Sequence, residues 1–232
     1  MFSTDECGIV VGVDGCPAGW VCFEVDLQSR RTAVRVLPNF IELISASPGP
    51  QLIAIDIPIG IPTKGPRACD IAARRLLGKP RSSSVFPAPV RATFAAKTYQ
   101  EACALSLQVQ GKRLSRQAFE IISKIREVDE VMTPEVQSRV FEVHPEVSFW
   151  ALNGRQSLKH RKLAREGKAE RLNLLLPHYP AIKSHLAEIE RAKVAEHDLL
   201  DAAVAAWTAE CVASGAVPRQ FDNRGLRMEI VY

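Results

Sequence analysis

The chain has 232 residues, 47% of them apolar, with a net charge of +4. That length and composition support a folded core and exclude a chain disordered throughout. The mild basic excess permits a nucleic-acid or phosphate partner without requiring one.

The first residues, "MFSTDECGIVVGVDG", lack a basic stretch followed by a long apolar run, so no signal peptide is expected. No stretch approaches the roughly 18 uninterrupted apolar residues of a membrane helix. The six cysteines (7, 16, 22, 69, 103 and 211) show no CxxC pairing. Free thiols in a reducing cytoplasm are the expectation.

In chain order, "GIVVGVD" (8–14) is an apolar run ending in Asp14, followed by the glycine-flanked turn "GCPAG". "WVCFEVD" (20–26) and "TAVRVLP" (32–38) alternate with period two, so the three runs predict an antiparallel meander. "NFIELISAS" (39–47) predicts a short helix capped by Asn39. "QLIAIDIPIGIP" (51–62) is a further strand carrying Asp56, reached through a helix and therefore expected to join the sheet in parallel. Residues 63–97 are rich in Pro, Gly, Ser and basic side chains around a short helix at 67–77. Helices are expected at 98–110 and at 115–131, the second capped by Ser115. "RVFEVH" (139–144) predicts a strand stopped by Pro145. Helices follow at 145–152, 157–176, 181–192 and from Asp198 to about Ala213, where Gly215 serves as a stop. The tail "LRMEIVY" suits an edge strand. The sum is an α/β fold with one mixed central sheet and helices on both faces. Its β-β-β-α-β-α-β-α order is that of the ribonuclease H fold. A single domain over 1–232 is expected, with a loop and helical insertion at 63–135.

Asp14 and Asp56 each end a buried strand, and ligands of open α/β sheets bind at the carboxyl ends of parallel strands. Two carboxylates about 4 Å apart repel by about 4 kcal/mol at an effective dielectric near 20. A cation or a shared proton is needed to compensate them. A divalent ion such as Mg²⁺ is the simplest choice, because it prefers oxygen ligands. Asp198 and Asp201 are spaced to share one helix face in "HDLLDAAVAAW". Capping explains Asp198 well and Asp201 poorly. "EVHPE" adds Glu142, His144 and Glu146: Glu142 is either a further ligand or bonded to neighbouring backbone, and His144 is a general base, a group that steadies the scissile phosphate, or the cap of the helix opened by Pro145. Arg67, Arg81 and Arg91 in the irregular segment are candidate phosphate contacts. The second basic group (Arg155, Lys159, Arg161, Lys162, Arg165, Lys168 and Arg171) could flank an acidic centre, with solvated helix surface the reading for most of it, and the acids Glu127 and Asp129 read as a solvated helix face.

The pieces "GVDGCPAGW", "IDIPIGIP", "RACDIAARRLLG", "SSVFPAPVR", "KIREVDEV", "FEVHPEVSF" and "HDLLDAAVAAWTA" resemble the domain of unknown function 429 family over nearly the whole chain. The resemblance implies an RNase H-like fold and nuclease activity. Within that superfamily the acid pattern is most similar to RuvC-like resolvases, although their fourth-strand acid is more typically Glu. By that analogy Asp14, Asp56, Asp198 and Asp201 would hold Mg²⁺ or Mn²⁺, with Asp14 bridging two ions. The expected activity is hydrolysis of DNA or RNA phosphodiester bonds. Two alternatives stand beside it. One is nucleotide-dependent phosphoryl transfer, since "DGCPAG" is similar to the phosphate loop of actin-like ATPases. The other is a non-catalytic adaptor.

Overall fold

Five strands form the central sheet of the computed structural model, which describes residues 8–211 and 220–232. They are β1 (Ile9–Cys16), β2 (Gly19–Asp26), β3 (Thr32–Leu37), β4 (Leu52–Ile55) and β5 (Val140–Glu142), arranged in the order β3-β2-β1-β4-β5. β1, β2 and β3 pair antiparallel, as their period-two alternation predicts, while β4 joins β1 and β5 joins β4 in parallel. The crossover into β4 runs through α1 (Phe40–Ile44), whose cap Asn39 accepts the Glu42 N–H.

Alternate residues of each strand serve opposite layers. Val10, Val21, Phe23, Val25, Leu52 and Ala54 pack with α9 (Glu196–Cys211) in one core. Val11, Val13, Trp20, Cys22, Ile53 and Ile55 pack on the other side with α1 and α5 (Ile122–Val131). Helices thus cover both faces. The first face requires an unusually close approach. A Cβ at Gly12 would lie 2.0 Å from the Ala202 carbonyl oxygen and 2.1 Å from the Ala206 nitrogen. β1 and α9 therefore touch backbone to backbone, which accounts for the alanines of α9 and for glycine in mid-strand.

Between β4 and β5 lie α2 (Ala68–Leu77), α3 (Tyr99–Gln110), α4 (Arg116–Glu120) and α5. The helix expected at 115–131 is divided at Ile121, whose backbone (φ −101°, ψ 2°) leaves the helical region. Ser115 caps its first half by accepting the Ala118 N–H. Glu127 and Asp129, expected on a solvated face, are internal ties. Glu127 accepts from the Trp20 indole and the Phe40 N–H, and Asp129 pairs with Arg91 and Arg224.

After β5 come α6 (Pro145–Leu152), α7 (Arg165–Leu175) and α8 (Ile182–Glu188). The long helix expected at 157–176 begins only at Arg165. Residues 157–164 form a loop because its polar backbone groups are claimed from outside. Arg81 donates to the Leu158 and Lys159 carbonyls, and Glu170 accepts the Lys159 and His160 amides. α8 stops at Glu188, short of the expected 192. α9 starts at Glu196, and its expected end near Ala213 and Gly215 lies outside the described residues. The tail forms β7 (Arg227–Met228) against β6 (Gln220–Phe221), and Val231 bridges to Val143 in parallel beside β5. The described cysteines, 16, 22, 69, 103 and 211, are free, and no described helix is long and apolar enough to cross a membrane.

Candidate active site

Asp14 and Asp56 stand at the carboxyl ends of adjacent parallel strands. The β1–β4 register pairs Val13 with Ile55, and the Asp56 N–H donates to the Val13 carbonyl at 3.0 Å, extending the ladder by one residue. Parity places both side chains on the α9 face, beyond Gly12 and Ala54. Asp201, in the second turn of α9, is 1% exposed and looks onto the same strand ends.

Burial, followed by the charges of Asp56 and Asp201, pushes the Asp14 carboxyl well above the usual carboxylate range. Burial and Asp201 raise Asp56 to about 7. These shifts mark three carboxylates packed into one another's field.

Asp198 has a different job. Its Oδ2 accepts the Ala195 N–H at 3.1 Å, closing the first turn of α9, and its Oδ1 lies 3.2 Å from His197 Nε2. It remains within the field of Asp14 and Asp201, and its pKa is raised chiefly by burial.

The compensating charge comes from Lys162, one of the basic group expected to flank an acidic centre or, for most members, to lie on a solvated helix surface. Its Nζ bonds Asp201 Oδ2 at 2.9 Å. Burial opposes the ammonium charge, but Asp201, Asp14 and Asp56 together outweigh it and hold the lysine firmly protonated. Nothing in the basic run "KHRKLAREGK" distinguishes Lys162; only the loop that replaces the expected helix aims it inward.

Glu146, to which "EVHPE" gave no role, also borders the cluster. It sits in the first turn of α6 and raises the Asp56 carboxyl through its charge. One carboxylate oxygen pairs with the fully buried Arg171, while Oε2 has no partner. His144 precedes α6 but makes no side-chain cap bond. Its Nε2 lies 3.4 Å from the Ser84 carbonyl and its buried Nδ1 is unpartnered. Burial lowers its pKa, so the ring is neutral at pH 7, within the field of Glu146, Asp201 and Lys162.

The remaining sequence candidates do not reach the cluster. Glu142 faces the opposite layer, because Phe141 and Val143 occupy the α9 face of β5. There it accepts from both Arg67 terminal nitrogens at 2.6 Å and from the Ile59 N–H at 2.7 Å. Arg67, 2% exposed, also binds Asp70 and is closed to substrate. Arg81 is buried against the Leu158 and Lys159 carbonyls, and Arg91 is bound to Asp129 and Asp222. These arginines are structural because the irregular segment they serve has few regular backbone bonds of its own.

The family model described as "Protein of unknown function (DUF429)" matches residues 12–224. The chain belongs to the DUF429 family. The match to DUF429 takes in Asp14, Asp56, His144, Glu146, Lys162, Asp198 and Asp201 alike. No curated protein and no solved structure matches this DUF429 chain.

Proposed function

We propose that this protein is a metal-dependent hydrolase of nucleic-acid phosphodiester bonds, built on an RNase H-like fold. The strand order β3-β2-β1-β4-β5, with only β2 reversed relative to its neighbours, supports the fold. The observation that carries the function is the convergence of Asp14, Asp56 and Asp201 from two parallel strand ends and one helix onto a shared cation.

As they stand, no three His, Cys, Asp or Glu side chains among the described residues form a ready group for a metal ion. The donor chemistry nevertheless suits Mg²⁺ or Mn²⁺. It is all carboxylate oxygen, it carries excess negative charge, and Glu146 adds an unpartnered buried oxygen. Asp14, Asp56 and Asp201 would hold the ion, with Asp198 alongside. A bound divalent ion supplies Lewis acidity toward phosphate oxygen and lowers the pKa of water.

The chain's own groups would do the rest. The neutral His144 ring presents Nδ1 as a site to take or give a proton. Exposed Lys159, Arg161 and Arg165, on and beside the Lys162 loop, offer positive charge to a phosphate backbone of DNA or RNA. The phosphotransferase alternative gains no comparable support. In the β1–β2 turn the Ala18 N–H is spent on the Lys193 carbonyl, and Lys124 packs on Gly15.

The test is incubation of structured and single-stranded DNA and RNA with Mg²⁺ or Mn²⁺. Cleavage is expected in the wild type and lost in Asp14→Asn and Asp201→Asn. Cleavage that persists in both variants would refute the proposal.

A further inference from the structure

The two partners of the Lys162–Asp201 pair are unequal. The Asp201 side chain is 2% exposed on a helix packed against the sheet, whereas the Lys162 side chain is 44% exposed and enters from a loop. The loop backbone is anchored nearby at Leu158, Lys159 and His160. Its Cα is therefore held in place, while the four-carbon stem has open solvent on one side. Lys162 also lies in the field of Asp14, Asp56 and Asp198, so its one positive charge serves four carboxylates. Arg171, a fully buried cation beside Glu146, is committed to that carboxylate and to the Gly167 carbonyl. One ammonium on a half-exposed stem thus stands against the whole carboxylate cluster.

We infer that Lys162 is a tethered counter-ion that occupies the cation position of the carboxylate cluster and must swing out before a divalent ion can enter. This rests on the metal-dependent part of the function proposed above. A divalent ion brings twice the charge and accepts several oxygen ligands, whereas an ammonium donates three hydrogen bonds. Exchange between them is a competition at one position. The released ammonium is left on the exposed rim beside Arg161 and Arg165, where it adds to the charge facing an anionic substrate.

The experiment is calorimetric titration with Mn²⁺ of the full chain as wild type, Lys162→Met and Lys162→Arg, with thermal melts in a metal-free chelating buffer. Lys162→Met removes the competitor and is expected to bind Mn²⁺ about tenfold more tightly or better. Without metal it should melt below the wild type and recover on Mn²⁺ addition. Lys162→Arg keeps the charge and should retain wild-type affinity. Equal, weaker or absent Mn²⁺ binding in Lys162→Met overturns the inference, as does an equal gain in Lys162→Arg. The nuclease proposal fails separately, if the affinity order holds but the loaded wild type cleaves no nucleic acid.

Discussion

Replacing Asp56 by Asn should make the metal-free protein more stable, and increasingly so as pH rises. In the folded chain the Asp56 carboxyl titrates near 7 rather than at the ordinary 3.8. A raised folded pKa means that the unfolded chain releases its proton first, so wild-type stability falls as pH climbs from about 4 to about 7. The gap of about 3 pH units at about 1.36 kcal/mol each is worth about 4 kcal/mol once both states are ionised. Asp56 keeps a solvent-facing edge, and part of its repulsion is shared with Asp201. Half of the full figure, about 2 kcal/mol, is the working value at about pH 8. At about pH 5 only about one of those units has been crossed, which leaves under about 1 kcal/mol. Urea unfolding of both proteins in chelating buffer at these two pH values measures the difference. An Asp56→Asn variant no more stable than the wild type at the higher pH, or one whose advantage does not grow with pH, would show that Asp56 bears no electrostatic strain.

Three further changes separate scaffold from site. Gly12→Ala drives a methyl group into the Ala202 carbonyl and Ala206 nitrogen and should cost about 1–3 kcal/mol by chemical denaturation, with weakened Mn²⁺ binding as α9 is displaced. Arg67→Met strands Glu142 and Asp70 as buried charges and should cost about 3–5 kcal/mol in the same assay. Because Glu142 faces away from the cluster, Mn²⁺ affinity measured by calorimetry should not change. Asp198→Ala loses its bond to the Ala195 N–H and should lower stability by about 1 kcal/mol, read as a drop in melting temperature.

The meander was legible because half-buried antiparallel strands alternate visibly, and "WVCFEVD" and "TAVRVLP" do so cleanly. The strand-end placement of Asp14 and Asp56 followed from two apolar runs that each admit one carboxylate. Of the two readings of Glu142, the ligand fails by one step of parity, and the backbone bond is present at the Ile59 N–H. With Phe141 and Val143 on the α9 face, its side chain had to emerge on the other side. Applying that alternation to β5, and counting from Pro145 into α6, would have favoured Glu146. Lys162 was beyond reach for a different reason. The run at 157–176 has helical composition throughout, and what holds 157–164 out of the helix is Glu170 together with Arg81, which arrives from nearly eighty residues earlier. Long-range capture of backbone carbonyls leaves no local trace. The same holds for Arg67 and Arg91, whose setting in a proline-rich segment looked open to solvent and is filled by Asp70, Glu142, Asp129 and Asp222.

The contact of Gly12 with Ala202 and Ala206 acts as a ruler. Two peptide backbones already touching have no side-chain volume left between them to trim or enlarge, so the offset between the end of β1 and the second turn of α9 is fixed by van der Waals contact. Drift in the surrounding core can tilt or loosen other helices without altering the span from Asp14 to Asp201. The Lys162 side chain is under no such restraint: its loop backbone rests on α7, where a Cβ at Gly167 would lie 1.9 Å from the Arg161 carbonyl oxygen, but the lysine stem is 44% exposed. Length, charge and reach can be changed at that one side chain without moving the carboxylates it faces.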